Sequence, residues 1–349
     1  MFVAKQLKAA VCGALAALAL GAATVPAQAQ DQALIDAAKK EGELTWYTGF
    51  VVNLLVRPLA DAFEAKYGIK VNYVSSGDSE MLLRLTNEAR AGTPVGDVFD
   101  TPGTLVPPLK EAGLIGQYPV ASAKDYPPEL RDKDGYWTSI FVLYLTTGYN
   151  TDLVSDDEAP KTYQDLLDPK WKGKMVWTDT RTISGPAGFI ASTLATMGEK
   201  DGMDYLQRLA QQDIAGIPSN QRVVLDQVIA GQYPIGLMIY NHHTVISQAQ
   251  GAPIKWVKME PLVANVGVVA LAKNAPHPNA GKLFLEFVLG EEGQTVLAKA
   301  GYPPAHPSVQ ARDPSITPTG GDFKTTLLTP EMTGAPLKGW LKIYDELFK

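Results

Sequence analysis

The sequence predicts an α/β protein of two lobes, each a mostly parallel sheet flanked by helices and joined to the other by a hinge. Three observations carry this. From Asp31 onward the hydrophobic period switches back and forth between helix and strand. The apolar strand runs are short and separated by amphipathic helices. A strand and helix of the first type return late in the chain, after a long unit of similar character.

Taken in order, Ala33 to Lys40 reads as a helix, Leu44 to Tyr47 as a short apolar strand, and Leu54 to Tyr67 as an amphipathic helix stopped at Gly68. Ile69 to Val74 is a second strand, Ser79 to Arg90 a second amphipathic helix, and Asp97 to Phe99 a third strand. The proline-rich stretch from Tyr118 to Pro128 suits a surface connection. Phe141 to Tyr149 begins the second unit as a strand, followed by a short helix at Thr162 to Leu167 and a strand at Lys174 to Thr178. Helices follow at Pro186 to Met197, Met203 to Gln211 and Val223 to Ala230, then a strand at Ile235 to Tyr240. Val266 to Ala272 and Ala280 to Leu289 repeat the first type of strand and helix. The last 39 residues, from Ala311, carry scattered proline and two helical pieces and read as a terminal wrap. The expected division is 30–137 with 264–310 in one lobe, 138–263 in the other, and 311–349 as the wrap.

Residues 1–29 are set apart from the fold. Lys5 and Lys8 precede an uncharged run from Ala9 to Ala23 and then Ala27-Gln28-Ala29, the layout of an export signal with an A-x-A cleavage site. The run is shorter than the roughly 20 apolar residues of a membrane helix, so cleavage and a periplasmic location are expected. Cys12, the sole cysteine of the 349 residues, lies in this segment. The exported chain would therefore rely on a large core and not on disulfides. Of 31 basic and 37 acidic residues only two lysines would be lost, leaving 29 − 37 = −8. That balance argues against nucleic acid, which needs a dense basic face.

Several segments resemble the periplasmic solute-binding proteins with the two-lobe, type II fold, and within them the ferric-binding and phosphonate-binding branch. They are Leu44 to Thr48, Leu167-Asp168-Pro169-Lys170-Trp171-Lys172-Gly173-Lys174, Asn274 to Ala280, Gly293-Gln294 and Gly301-Tyr302-Pro303. The resemblance implies a monomeric receptor without cofactor that closes its lobes around a small molecule and presents it to an ABC permease in the inner membrane. No catalytic role is expected: the exported chain shows no G-x-S-x-G, H-E-x-x-H or phosphate-loop motif.

A cleft between α/β lobes lies at the carboxyl ends of strands, so the loops there are candidates for ligand contact. They contribute Tyr47 and Thr48; Ser76, Gly77 and Asp78; Thr101; Arg181, Thr182, Ser184 and Gly185; Asn220; and Tyr240, Asn241, His242 and His243. Ser76 to Asp78 fit an anion site at a helix start, or simple helix capping. Arg181 fits a carboxylate or phosphate, or an ordinary surface position. His242 and His243, taken as adjacent residues on an extended segment, would point to opposite sides, with at most one facing the cleft. Arg181 and His242 are expected to line solvent, so that alanine at either would weaken binding with little loss of stability. In the ferric-binding branch a tyrosine pair stands where this chain has Asn241-His242 or His242-His243. Loss of both phenolates argues against tight iron binding and for a small organic anion (a phosphonate, phosphate ester or carboxylate) held without metal. The alternative is ferric iron held by Tyr240, His242 and His243.

Overall fold

The computed structural model describes residues 27–349; the expected export signal lies, apart from its last three residues, outside them. The first unit runs α1 (Ala27–Glu41), β1 (Glu43–Thr48), α2 (Arg57–Tyr67), β2 (Lys70–Ser75), α3 (Asp78–Ala91), β3 (Val98–Pro102), α4 (Val106–Glu111) and β4 (Ile115–Gly116). Between β1 and α2 the chain makes a π-helical turn at Val52–Val56, so the helix expected from Leu54 begins in a wider coil. Gly68 ends α2 at φ 69°, a left-handed conformation that costs a glycine nothing.

The second unit holds β5 (Thr138–Asn150), β6 (Met175–Thr178), α5 (Pro186–Met197), α6 (Glu199–Ala210), β7 (Ala215–Ile217), α7 (Gln221–Ile229), β8 (Ile235–Tyr240), α8 (Asn241–Gln248) and β9 (Ile254–Trp256). The chain returns through β10 (Leu262–Ala272), α9 (Pro278–Leu289) and α10 (Glu291–Lys299). It ends with α11 (Pro318–Gly321), β11 (Thr325–Leu328) and α12 (Ala335–Phe348). The short helix expected at Thr162 to Leu167 is a 3-10 turn at Gln164–Leu167.

β1, β2 and β3 pair in parallel, as do β6, β7 and β8. Between these groups stand two long strands, β5 and β10, antiparallel to each other and to their outer neighbours β8 and β3. The sheet therefore runs unbroken in the order β2-β1-β3-β10-β5-β8-β6-β7. The expectation of two parallel lobes is met outside these crossing strands, and the hydrogen-bond ladder is continuous because both strands serve both halves.

The cores remain separate. One apolar cluster draws on residues 38–144 and 262–323, and another on 145–263 together with Leu328 and Tyr344. A third, smaller cluster covers the opposite face of the second sheet, where Val176 and Ile239 are fully buried. Met175, Val176 and Trp177 alternate between the two faces, the period of two that a strand imposes.

The crossing pair is irregular at two glycines. Its register slips between Gly267 and Val268, and that of β5 against β8 between Thr146 and Gly148. At Gly267 the Phe141 ring lies against the bare backbone, so an added Cβ would sit 2.1 Å from Phe141 Cε2. The C-terminal segment includes the strand β11, parallel to β10, and α12, whose Phe348 and Tyr344 pack on Trp177 at 5.0 and 5.8 Å between ring centroids.

Gly267→Ala should destabilise the protein by about 1–3 kcal/mol in chemical denaturation, because the aromatic ring beneath has to move. Gly339→Ala, in α12 with nothing within 4 Å of its added methyl, should instead stabilise by about 0.5–1 kcal/mol through helix propensity.

Candidate functional site

At the centre of the sheet, β5 and β10 form the floor of a cavity of about 220 Å³. Gly49, Phe50 and Val51, after β1, and Asp100 and Pro102, in β3, line one side. Ser184, Tyr240, His242 and His243 line the other; Phe141, Leu143, Asn265, Val266 and Gly267 form the floor, and Tyr302 closes the end. Strand ends from both units thus share one gap. Two larger surface hollows, of about 620 and 640 Å³, share Lys299 and Arg312. None of their lining residues carries a buried polar side-chain atom without a partner, and size alone does not make a site.

The local chain explains how the second wall is aimed. Met238, buried in β8, takes φ 54°, a left-handed conformation costing roughly 1–2 kcal/mol in a non-glycine residue. It sits where β8 bulges against β5, and bulges re-aim the side chains that follow them. Tyr240 stays extended (φ −73°, ψ 125°) and α8 starts at Asn241. His242 and His243 are therefore successive residues of a helix, about 100° apart and not 180°, and both line the cavity. This corrects the expectation that at most one would face it. Ser184 is placed by the start of α5, where Gly188 lacks the Cβ that would fall 1.8 Å from the Ile183 carbonyl oxygen.

His242 is fully buried, contrary to the expectation that it lines solvent, because α8 tucks it between Tyr302 (4.8 Å between centroids) and His243 (4.2 Å). Among the described residues neither of its ring nitrogens has a hydrogen-bond partner, nor do His243 Nδ1 and Asn265 Oδ1. Buried polar atoms are nearly always paired, so four orphans around one cavity mark a site where something else supplies the partners. Burial, with His243 beside it, pulls the His242 pKa well below 6.5; burial, with Arg222 nearby, pulls His243 down to about 4. Both imidazoles are neutral at pH 7. Burial, reinforced by Tyr240, pushes the Tyr302 phenol up to about 12.

Ser184 Oγ accepts from Tyr240 Oη at 3.1 Å and from Asn265 Nδ2 at 2.6 Å, joining the second wall to the floor. Asp100 Oδ1 accepts the Gly49 N–H at 3.0 Å and holds the loop after β1. Among the described residues no lysine or arginine lines the cavity.

Of the residues singled out from sequence, the structure brings together Ser184, Tyr240, His242 and His243. It places the others elsewhere. Tyr47 turns away from the cavity and donates to Glu88 at 2.5 Å. Thr48 is buried and accepts the Phe50 N–H, and its carbonyl takes the Ser76 N–H. Gly77 precedes α3 as its cap residue; the side chain of Asp78 lies outside the described ones. Thr101 is buried in the β3–β10 ladder. Arg181 stands at the surface in a bidentate pair with Asp345 of α12, both bonds 2.8 Å, and so anchors that helix. Thr182 lies beside Thr180, Gly185 caps α5, and Asn220 caps α7 through the Arg222 and Val223 N–H groups. Asn241 donates to the Ile316 carbonyl. Asn265 and Tyr302 lie outside the candidate loops, and Asp100 begins the loop Asp100-Thr101-Pro102, from which only Thr101 is taken as a ligand contact. The signal for two of them is a lone polar residue in or ending an apolar strand: Asn265 within Leu262 to Ala272, and Asp100 after Val98-Phe99.

Two α/β units sharing one small polar gap, bridged by a pair of crossing strands, are the architecture of a two-lobed solute receptor. The chain belongs to the bacterial extracellular solute-binding protein family, whose model matches residues 58–321. Members of this family bind small ligands and work with ABC permeases; it is a transport family and not an enzyme family. Among relatives, the chain is 27% identical to an Fe(3+)-binding periplasmic protein of Serratia marcescens, over 70% of this chain and 72% of the other. It is 23% identical to a putative 2-aminoethylphosphonate-binding periplasmic protein of Salmonella typhimurium, over 88% and 85%. Its fold matches the periplasmic binding protein AfuA from Actinobacillus pleuropneumoniae, solved with fructose-6-phosphate bound, with a TM-score of 0.73 at 23% identity over 88% of this chain and 99% of that one. Among the described residues no helix is long and apolar enough to cross a membrane.

His242→Leu keeps the apolar bulk and removes two unpartnered ring nitrogens, so in the absence of ligand it should raise stability by about 1–3 kcal/mol. The parent protein should lose stability as pH falls from about 6.5 toward 4, because the unfolded chain binds the protons that the buried imidazoles refuse. Thermal unfolding across that range should show a smaller acid loss in the variant; a variant less stable than the parent at neutral pH would contradict the assignment.

Proposed function

We propose that this chain is the periplasmic receptor of an ABC importer, exported by residues 1–29 and acting as a monomer, and that it captures a small organic anion between its lobes. The lobes are residues 30–137 with 264–310, and 138–263, with 311–349 wrapped over them. The reading rests on one observation, the convergence of unpartnered buried atoms of Asn265, His242 and His243 on a cavity shared by both lobes. Its volume suits a ligand of modest size and exceeds what a bare ion would fill. The start of α8 faces the same wall, and a helix N-terminus with its free N–H groups favours an oxyanion. Neutral imidazoles donate hydrogen bonds to oxyanions and take up protons beside them. The relative named as a putative 2-aminoethylphosphonate-binding protein, and the structural neighbour solved with fructose-6-phosphate bound, support a ligand of this class. The chain performs no chemistry on its cargo and needs no metal.

One observation favours a second reading. Tyr240 and Tyr302 both stand beside His242, and two phenols with two imidazoles make a donor set that a ferric ion accepts.

The two readings differ in the sign of their pH dependence. An organic anion raises the histidine pKa values on binding and so binds more tightly as pH falls from 8 to 6, once its own ionisation is allowed for. A ferric ion displaces the phenol protons, the imidazoles being already neutral, and so binds less tightly over the same range. Thermal unfolding with phosphonates, phosphate esters, carboxylates and ferric citrate decides the class: a ligand at 100 times its Kd adds ~2.7 kcal/mol. A shift confined to ferric salts, with a phenolate-to-metal absorption band, would sink the organic-anion reading.

A further inference from the structure

The hydroxyl of Ser184 already receives two hydrogen bonds, from Tyr240 Oη and from Asn265 Nδ2. A serine hydroxyl has two acceptor positions and one proton. With both acceptor positions taken, the proton points in the remaining direction, and among the described residues no acceptor receives it. Ser184 lines the cavity and is partly exposed there. The adjacent Asn265 gives one amide N–H to Ser184, and its Oδ1, buried on the cavity floor, has no partner among the described residues. An uncommitted donor, the Ser184 hydroxyl, and an unpaired acceptor, Asn265 Oδ1, therefore stand side by side on groups whose shared bond is 2.6 Å long.

We propose that Ser184 and Asn265 form a two-sided specificity element that reads a ligand group carrying an acceptor and a donor next to each other. The matching chemistry is an oxyanion with a hydroxyl on the neighbouring carbon, such as a hydroxyalkylphosphonate, a hydroxycarboxylate or a phosphorylated polyol. The anion oxygen accepts from Ser184 Oγ–H and the hydroxyl donates to Asn265 Oδ1. A bare, fully ionised oxyanion fills the first position and leaves Asn265 Oδ1 facing a second acceptor, which costs binding. Tyr240 acts one step back: it holds the Ser184 lone pair and so aims the proton without touching the ligand. The selectivity part of this proposal rests on the organic-anion reading above; the direction of the Ser184 proton does not.

Two measurements test it together. Neutron diffraction from ligand-free crystals should place the Ser184 hydroxyl deuteron toward the cavity, away from both Tyr240 and Asn265. A deuteron on the line to Asn265, with the amide reversed, or on the line to Tyr240 overturns the proposal. Calorimetric titration should show hydroxymethylphosphonate binding at least roughly 10-fold more tightly than methylphosphonate, the size of one hydrogen bond to a buried unpaired acceptor. Ser184→Ala should weaken both probes, Ser184→Thr should restore them, and Asn265→Asp, whose carboxylate captures the serine proton, should abolish the preference. Equal affinity for the two probes overturns the proposal. If neither probe binds, the organic-anion reading is what fails for phosphonates, and the deuteron position alone decides whether Ser184 presents its proton.

Discussion

The pairing of two long antiparallel strands, β5 and β10, is the constraint from which the rest of this molecule follows. Each passes from one apolar core to the other: Tyr144 packs in the first and Leu145 in the second, Leu262 in the first and Val263 in the second. Successive strand residues point to opposite faces, yet Ile140 to Val142 and Val268 to Ala272 all lie in the first core, which therefore covers both faces of that stretch, while Leu145 and Tyr149 carry β5 on into the second; the flanking strands of both units end at one gap. The slips in register at Gly267 and near Gly148 are the concessions that let a rigid ladder serve two lobes. Phe141, lying on the bare backbone of Gly267, is at once a core residue and part of the cavity floor.

The polar character of the cavity follows from where helices begin. α8 starts immediately after β8, with Tyr240 as its extended cap residue, so two imidazoles enter the gap from one helical turn. Burial removes their charge, and their mutual contact with Tyr240 and Tyr302 fixes their planes. Such a site is costly to the empty protein, since unpartnered nitrogens and a left-handed Met238 both work against folding. A receptor can carry that cost because ligand binding returns it. Arg181, by contrast, has the chemistry of an anion anchor but spends it on Asp345, holding α12 against the second lobe.

Much of the fold was legible in the sequence because the hydrophobic periods are unambiguous. Pro186 to Met197 and Ile235 to Tyr240 were located to the residue, since a proline opens the one and apolar residues fill the other. α8 and α10 were not seen: α8 begins with polar residues that read as a strand end, and α10 follows α9 after the single residue Gly290. The crossing strands were read shorter than they are, because Asn265 and Thr138 interrupt the apolar runs. For the cavity, loop position after a strand selected Ser184, Tyr240, His242 and His243 together with loops that the fold uses for capping. Asn220 and Gly77 have side chains or positions equally suited to either task, and sequence alone does not separate a cap from a ligand contact. Asn265 and Tyr302 were missed because they belong to a strand interior and a turn whose place in space depends on the whole sheet.

The most direct test of the interlobe site is a crystal structure of the protein isolated from its own periplasm with its cargo retained. Ligand density should lie between Ser184 and His242, touching Gly49 to Val51 of the opposite lobe. Cargo seated instead in the surface hollows beside Lys299 and Arg312, with no ligand contact to either histidine, would contradict the account.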